Sequence, residues 1–318
     1  MAGMKDFLPT QETLPSAAKP FVKWVGGKTQ LLPELHASLA NEISAAKNFI
    51  YVEPFCGGAS LFFSLFRELG FAGTVILNDI NAQLMETFRT VRDSPRELVD
   101  SLREIECEYL TLSTEARTKF FYERRDEFNA DGKELSRIRS ATLFIFLNKT
   151  CFNGLFRVNA KGKFNTPCGR YRNPKICDEQ TILADSAVLQ NAQLLCGDFA
   201  ETLAAAEKLR SRGNEKFLFY IDPPYKPITE TANFTSYSAD RFNDRDQQRL
   251  FRFCRELDAH GIRWLQSNSD AFTNDDPPKS YFEMLYTGAH IRRVPAKRAI
   301  NAIASRRGNV SEVLISNF

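Results

Sequence analysis

The chain has 318 residues, 43% of them hydrophobic and 25% charged, with a formal net charge of +3. That is the balance of a globular protein with one large or two modest domains, and the whole-chain charge alone points to no partner. Seven cysteines without a CxxC pair and only three histidines argue against a zinc framework or a disulfide scaffold, and no uncharged apolar run approaches the ~20 residues of a membrane helix; a reducing, cytoplasmic setting is expected.

Residues 1–20 lack periodicity and are expected to form a loose arm. The next stretch, "FVKWVGGKTQLLPEL", carries Trp24, a glycine pair and Lys28 ahead of an amphipathic helix. A Walker A loop needs GxxxxGK[ST], and position 22 is Val22, so a P-loop ATPase is disfavoured. "NFIYVEPF" then reads as a buried strand, and Gly57 and Gly58 fall on the turn into the helical pattern "SLFFSLFREL". Glycines there let backbone approach a ligand closely. The spacing is not GxGxxG, which disfavours a dinucleotide dehydrogenase. "VILNDIN" ends a second strand in Asp79, placed about twenty residues on, as suits a ribose diol.

From residue 85 to 181 the pattern turns helical and then basic. Between Lys149 and Cys177 lie seven basic residues and no acidic one, in a glycine- and asparagine-rich stretch. An inserted, mostly helical lobe with a basic loop or hairpin is expected there. A second acid-free run holds Arg292, Arg293, Lys297, Arg298, Arg306 and Arg307. Each run alone fits a solvated loop, whereas the two together suggest a polyanion partner.

Beyond the lobe, "AQLLCGDF", "KFLFYIDPPY", "GIRWLQSNSD" and "SEVLISNF" read as further strands, with a helix in "RDQQRLFRFCRELDAHG". Near-continuous apolar runs alternating with helices predict a Rossmann-like, doubly wound α/β sheet, with residues 21–84 and 182–318 as its domain and 85–181 inserted. Glu53, Asp79, Asp198, Asp222 and Asn268 stand at strand ends, where such sheets bind ligands. A glycine turn, a ribose acid in Asp79, and Asp198 with Phe199 for an adenine describe a nucleoside pocket without a phosphate cradle. S-adenosylmethionine is that kind of ligand, with Lys28 near its carboxylate and Trp24 at its sulfonium end. No metal is required.

Asp222-Pro223-Pro224-Tyr225 fits methylation of an exocyclic adenine amine. That nitrogen is a poor nucleophile, and two acceptors on its two hydrogens hold its lone pair toward a methyl group. Asp222 supplies one acceptor and the Pro223 carbonyl the other. The prolines stiffen the turn and remove amide donors. Tyr225 can stack on a base extruded from a duplex, where stacking of roughly 1–3 kcal/mol offsets part of the unpairing cost.

In order, "FVKWVGGK", "EPFCGGAS", "NDIN", "FNGLFRVNAKGKFNTPCGRY", "IDPPY" and "TANFTSY" resemble the motifs of Dam-type (D12 class) N6-adenine DNA methyltransferases, from about Pro20 to the end of the chain. The resemblance implies that Trp24, Lys28, Glu53, Phe55, Gly57, Asp79, Asp198, Phe199 and Asp222 contact S-adenosylmethionine, and that Asp222, Pro223 and Tyr225 hold the target base. It also implies DNA contacts. Arg157 reads a guanine, Lys23 helps read an outer guanine, Leu155 and Pro167 meet a thymine methyl, Phe152 and Asn153 fill the space left in the duplex, and Arg170 meets a phosphate. GATC in double-stranded DNA is the target so implied. A monomer on DNA is expected, in a bacterial or phage nucleoid setting, alone or beside a restriction endonuclease acting on the same site. Ala59 and Phe152 depart from the family's usual glycine and tyrosine. Rival readings are another recognition sequence, methylation of RNA adenine or a glutamine amide, and a non-catalytic DNA-binding regulator.

Overall fold

The computed structural model describes residues 17–44, 49–71, 73–130, 135–210, 216–227, 242–272, 279–297 and 309–318. Most of the expected arm, the "TANFTSY" segment, Arg298, Arg306 and Arg307 lie outside the described residues. Among those described, seven strands form one sheet: β1 (Phe49–Glu53), β2 (Thr74–Asp79), β3 (Ala192–Cys196), β4 (Lys216–Ile221), β5 (Arg263–Ser269), β6 (His290–Lys297) and β7 (Asn309–Ser316). Their order is β3-β2-β1-β4-β5-β7-β6. The first five run parallel, and β7 pairs antiparallel with both β5 and β6.

The strand sequences dictate this two-sided burial. All five residues of β1 are buried, and successive side chains point to opposite faces. Tyr51, Leu218 and Tyr220 enter one core, whereas Ile50, Val52, Phe217, Phe219 and Ile221 enter the other. On the first face lie α1 (Leu32–Ser44), α2 (Ser60–Leu69), α3 (Ala82–Asp93), α4 (Pro95–Thr111), α5 (Thr114–Phe128), α6 (Arg137–Thr150) and α7 (Glu179–Leu189). On the second lie α8 (Glu201–Lys208), α9 (Asp244–Ala259) and α10 (Tyr281–Leu285). This is the Rossmann-like α/β arrangement expected from the sequence. The sequence divisions at residues 84/85 and 181/182 fall inside α3 and α7, which pack on each other, and α3 lies on β2 and β3. The helical segment thus shares the core of the first face.

One strand escapes the apolar pattern. β6 reads "HIRRVPAK" and belongs to the second acid-free run. As an edge strand it tolerates Pro295. Its arginines are not a free cationic patch: Arg292 pairs with Glu34 at 2.5 Å, and Arg293 with Asp270 at 3.0 Å and Glu283 at 2.8 Å. The polyanion signal of that run is therefore corrected for these two residues, because distant carboxylates neutralise them.

The strand order reverses between β1, followed outward by β2 and β3, and β4, followed outward by β5. A crevice opens above the carboxyl ends at such a reversal. The 54–59 turn leaves β1 there, and Asp222-Pro223-Pro224-Tyr225 leaves β4.

Candidate active site

The turn after β1 is built around a missing side chain. Gly57 has φ +48°, and a Cβ on it would lie 2.6 Å from Cδ1 of Trp24. The indole thus packs directly on the turn backbone. Asp79, at the end of β2, fixes the same turn: its Oδ2 accepts the Gly57 amide at 3.0 Å and its Oδ1 the Asn81 amide at 2.9 Å. Burial raises the Asp79 pKa against these backbone donors. Buried Asn78 donates to the carbonyls of Pro54 at 2.9 Å and Gly197 at 3.0 Å, tying together the ends of β1, β2 and β3.

Glu53 is only 2% exposed. Its Oε1 accepts the Tyr51 hydroxyl at 2.7 Å and the Phe62 amide at 3.0 Å. Burial pushes its carboxyl up to about 8, so at neutral pH it is mostly protonated.

At the end of β3 the geometry differs from the sequence expectation. Phe199 is 4% exposed, packed 5.2 Å from Phe55 and 5.5 Å from Phe253. The Arg249 guanidinium lies 4.3 Å from its ring centre and also pairs with Asp198, whose Oδ1 accepts the Ala200 amide at 2.9 Å. Phe199 is therefore not open to a ligand ring, because its neighbours and Arg249 cover it. Ile80 is the apolar side chain displayed instead: it follows Asp79 directly and is 79% exposed. Its signal in the sequence was an isoleucine placed outside the buried strand pattern.

The end of β4 gathers Lys28, Asp222 and Tyr225. Lys28, 7% exposed, sets its Nζ 2.8 Å from Asp222 Oδ1, donates to the Gly26 carbonyl at 2.7 Å, and sits 4.4 Å from the Tyr225 ring centre. Ser267 on β5 also donates to Asp222 Oδ1, at 2.9 Å, and exchanges a 3.0 Å hydrogen bond with the Tyr220 hydroxyl. Both donors use one oxygen. Asp222 Oδ2 and the Pro223 carbonyl have no partner among the described residues. Burial raises the Asp222 pKa, and Lys28 opposes that shift.

The remainder of the turn is braced from outside. The Asn268 side chain accepts the Lys226 amide at 3.0 Å, Gln247 donates to the Pro224 carbonyl at 3.3 Å, and the Tyr225 hydroxyl donates to Glu312 at 2.9 Å. Sequence reasoning missed Ser267, Gln247 and Glu312. The polar run Gln266–Asp270 ending an otherwise apolar strand was the available sign.

The basic stretch forms a hairpin bridged at Cys151–Cys168 and Val158–Phe164. Phe152 (52% exposed), Asn153, Arg157, Pro167 and Arg170 are exposed on it, and Leu155 is half-buried. Asn153 at φ +55° and Gly154 at φ +65° turn the chain sharply. Arg157 Nε donates to Asn165 Oδ1 at 2.8 Å, which orients the guanidinium. Asn129 at the end of α5 clamps the Phe164 backbone through two 2.8 Å bonds. Lys23 lies beside this hairpin with its Nζ 4.4 Å from the Tyr171 ring centre. Trp24 stacks on Phe156 at 5.7 Å and Phe144 at 6.4 Å, so it joins the lobe to the glycine turn. Among the described residues no cluster of three or more His, Cys, Asp or Glu could hold a metal ion, and no helix is long and apolar enough to cross a membrane.

Residues 24–300 match the family model for D12 class N6 adenine-specific DNA methyltransferase. The Type II methyltransferase M.MjaIII of Methanocaldococcus jannaschii is 42% identical over 301 residues, covering 94% of this chain and 99% of the relative. The Type II methyltransferase M1.LlaDCHI of Lactococcus lactis subsp. cremoris is 33% identical, covering 94% and 95%. The DNA adenine methylase of Escherichia coli (strain K12) is 32% identical, covering 93% and 94%.

Proposed function

The chain belongs to the D12 class N6 adenine-specific DNA methyltransferases, and on that premise we propose that it methylates N6 of an adenine flipped out of double-stranded GATC, with S-adenosylmethionine as donor. The observation that carries this reading is the pair of acceptors at the end of β4 that no described residue engages. Asp222 Oδ1 is saturated by Lys28 and Ser267, so Oδ2 and the Pro223 carbonyl are left for the two hydrogens of one amine. Their proline frame keeps them fixed.

The crevice fits the donor. The Gly57 turn brings the Trp24 indole against its backbone, the exposed Ile80 offers an apolar face for a purine, and Lys28 offers a cation for an amino-acid carboxylate. When bound, S-adenosylmethionine would supply a methyl on a sulfonium sulfur for direct displacement by the amine nitrogen, the carbon–sulfur bond breaking to leave S-adenosylhomocysteine and the nitrogen giving up one proton. The chain's own residues bind, aim and exclude water. Asp222 and Pro223 hold both amine hydrogens and aim the lone pair, which is catalysis mainly by positioning. Tyr225, its hydroxyl tied to Glu312, presents its ring to the base.

The target reading rests on the hairpin and on family resemblance. Arg157, aimed by Asn165, is the guanine reader, with Lys23 at the outer guanine. Leu155 and Pro167 face a thymine methyl, Arg170 a phosphate, and Phe152 with Asn153 the gap left by the flipped base. We place the protein on duplex DNA as a monomer in a cytoplasmic, nucleoid setting. Two relatives are named Type II methyltransferases, which favours a partner endonuclease with the same site.

The test is to incubate the protein with methyl-labelled S-adenosylmethionine and duplexes that differ only in carrying GATC. The expected result is labelled N6-methyladenine in the GATC duplex alone. Equal labelling of the other duplex would overturn the GATC assignment, and label on another base would overturn the chemistry.

A further inference from the structure

We propose that Asn148 is a positioning residue that holds the DNA-reading hairpin and the donor-side loop in one frame, so that donor and target duplex strengthen each other's binding. This rests on the function proposed above and names a coupling element within it.

Asn148 lies two residues before the end of α6 and is fully buried. Its Oδ1 accepts the Lys23 amide at 2.8 Å, and its Nδ2 donates to the Lys23 carbonyl at 2.7 Å and to the Gly154 carbonyl at 3.1 Å. One side-chain amide thus serves both backbone groups of Lys23 and the backbone of the hairpin, using both of its donor hydrogens. Packing closes the same joint. A Cβ on Gly154 would lie 2.6 Å from Lys23 Cβ, so the hairpin backbone rests on the Lys23 side chain.

The joint lies between the two ligands, and Lys23 itself is placed at the DNA. Lys23 is followed by Trp24, which packs on the Gly57 turn, and by Lys28, which contacts Asp222. Gly154 stands between Asn153 and Leu155, with Arg157 three residues on. Ordering the hairpin on DNA therefore orders the donor-side loop through Asn148, and by linkage the reverse holds. Asparagine is required chemically. An aspartate would still accept the Lys23 amide, yet would oppose its own oxygen to two buried carbonyls.

The test measures binding of S-adenosylhomocysteine, which cannot transfer a methyl group, to the full chain with and without a saturating GATC duplex. Wild type is expected to bind it at least about fivefold more tightly with the duplex present. In Asn148→Asp that ratio is expected to fall to about one, with a cooperative thermal melt retained. If Asn148→Asp does not melt cooperatively, Gly154→Ala breaks the same joint from the hairpin side and is expected to give the same loss. A purely structural Asn148 would lower the melting temperature and weaken both ligands while leaving the ratio at its wild-type value. That result, or a wild-type ratio of one, would overturn the proposal. Failure of wild type to methylate GATC would instead sink the function reading, which this binding ratio does not measure.

Discussion

Glu53 and Asp222 stand at adjacent strand ends and are both carboxylates, yet their surroundings differ. Glu53 is sealed beneath the site, and burial holds its carboxyl near 8, so it is largely uncharged at neutral pH. Burial raises the Asp222 pKa as well, but there Lys28 and Ser267 oppose the shift. The sign of the consequence for Glu53 follows from linkage. Its folded pKa lies above the ordinary carboxylate value, so between those values the folded chain holds a proton that the unfolded chain has lost. The resulting stabilisation is present in full below the ordinary value and is lost as pH rises through about 8. The melting temperature of the donor-free protein should therefore fall between about pH 5 and pH 8, and Glu53→Gln should make that fall shallower. Parallel curves for the two proteins would contradict the buried, protonated assignment. The sequence announced both acids at strand ends, but nothing in it says which is sealed, since that depends on the Tyr51 hydroxyl and Phe62 amide folding back onto Glu53.

Short elements, more than long ones, set the site. The strand-to-helix turn after β1 was legible as a glycine pair between an apolar run and a helical one. Its partner was not, because Trp24 lies more than thirty residues earlier and meets Gly57 only in the folded chain. Gly57→Ala should force the indole off the turn. A cost of about 1–3 kcal/mol is expected from the positive φ together with the clash. Trp24 and the buried Trp264 are the two tryptophans, so tryptophan fluorescence reports this displacement. The expected outcome is a changed emission spectrum and roughly tenfold or weaker donor binding. An unchanged spectrum with unchanged donor affinity would show that the turn tolerates a side chain. β6 illustrates the opposite failure. Its adjacent arginines hid a strand because their carboxylate partners come from α1, α10 and the end of β5, and no local pattern contains them.

At the scale of the whole molecule, six of the seven strands were visible as apolar runs, and in β1, β2 and β4 burial on both faces removes the polar alternation that would blur them. Their spatial order was not visible, and the order creates the site. It places the carboxyl ends of β1 and β4 side by side, so the glycine turn and the Asp222-Pro223 turn leave the sheet at the same place. It also lets the helical segment pack into the core of the first face, which sets the basic hairpin beside the loop carrying Lys23 and Trp24. The claim on which the function depends is that Asp222 takes an adenine amine in that crevice. Single-turnover methyl transfer to a GATC duplex, compared between wild type and Asp222→Ala with duplex binding measured alongside, tests it most directly. Duplex affinity should stay within about threefold of wild type while the transfer rate falls by at least about a hundredfold. Transfer by Asp222→Ala at the wild-type rate would contradict the assignment of the crevice as the catalytic site.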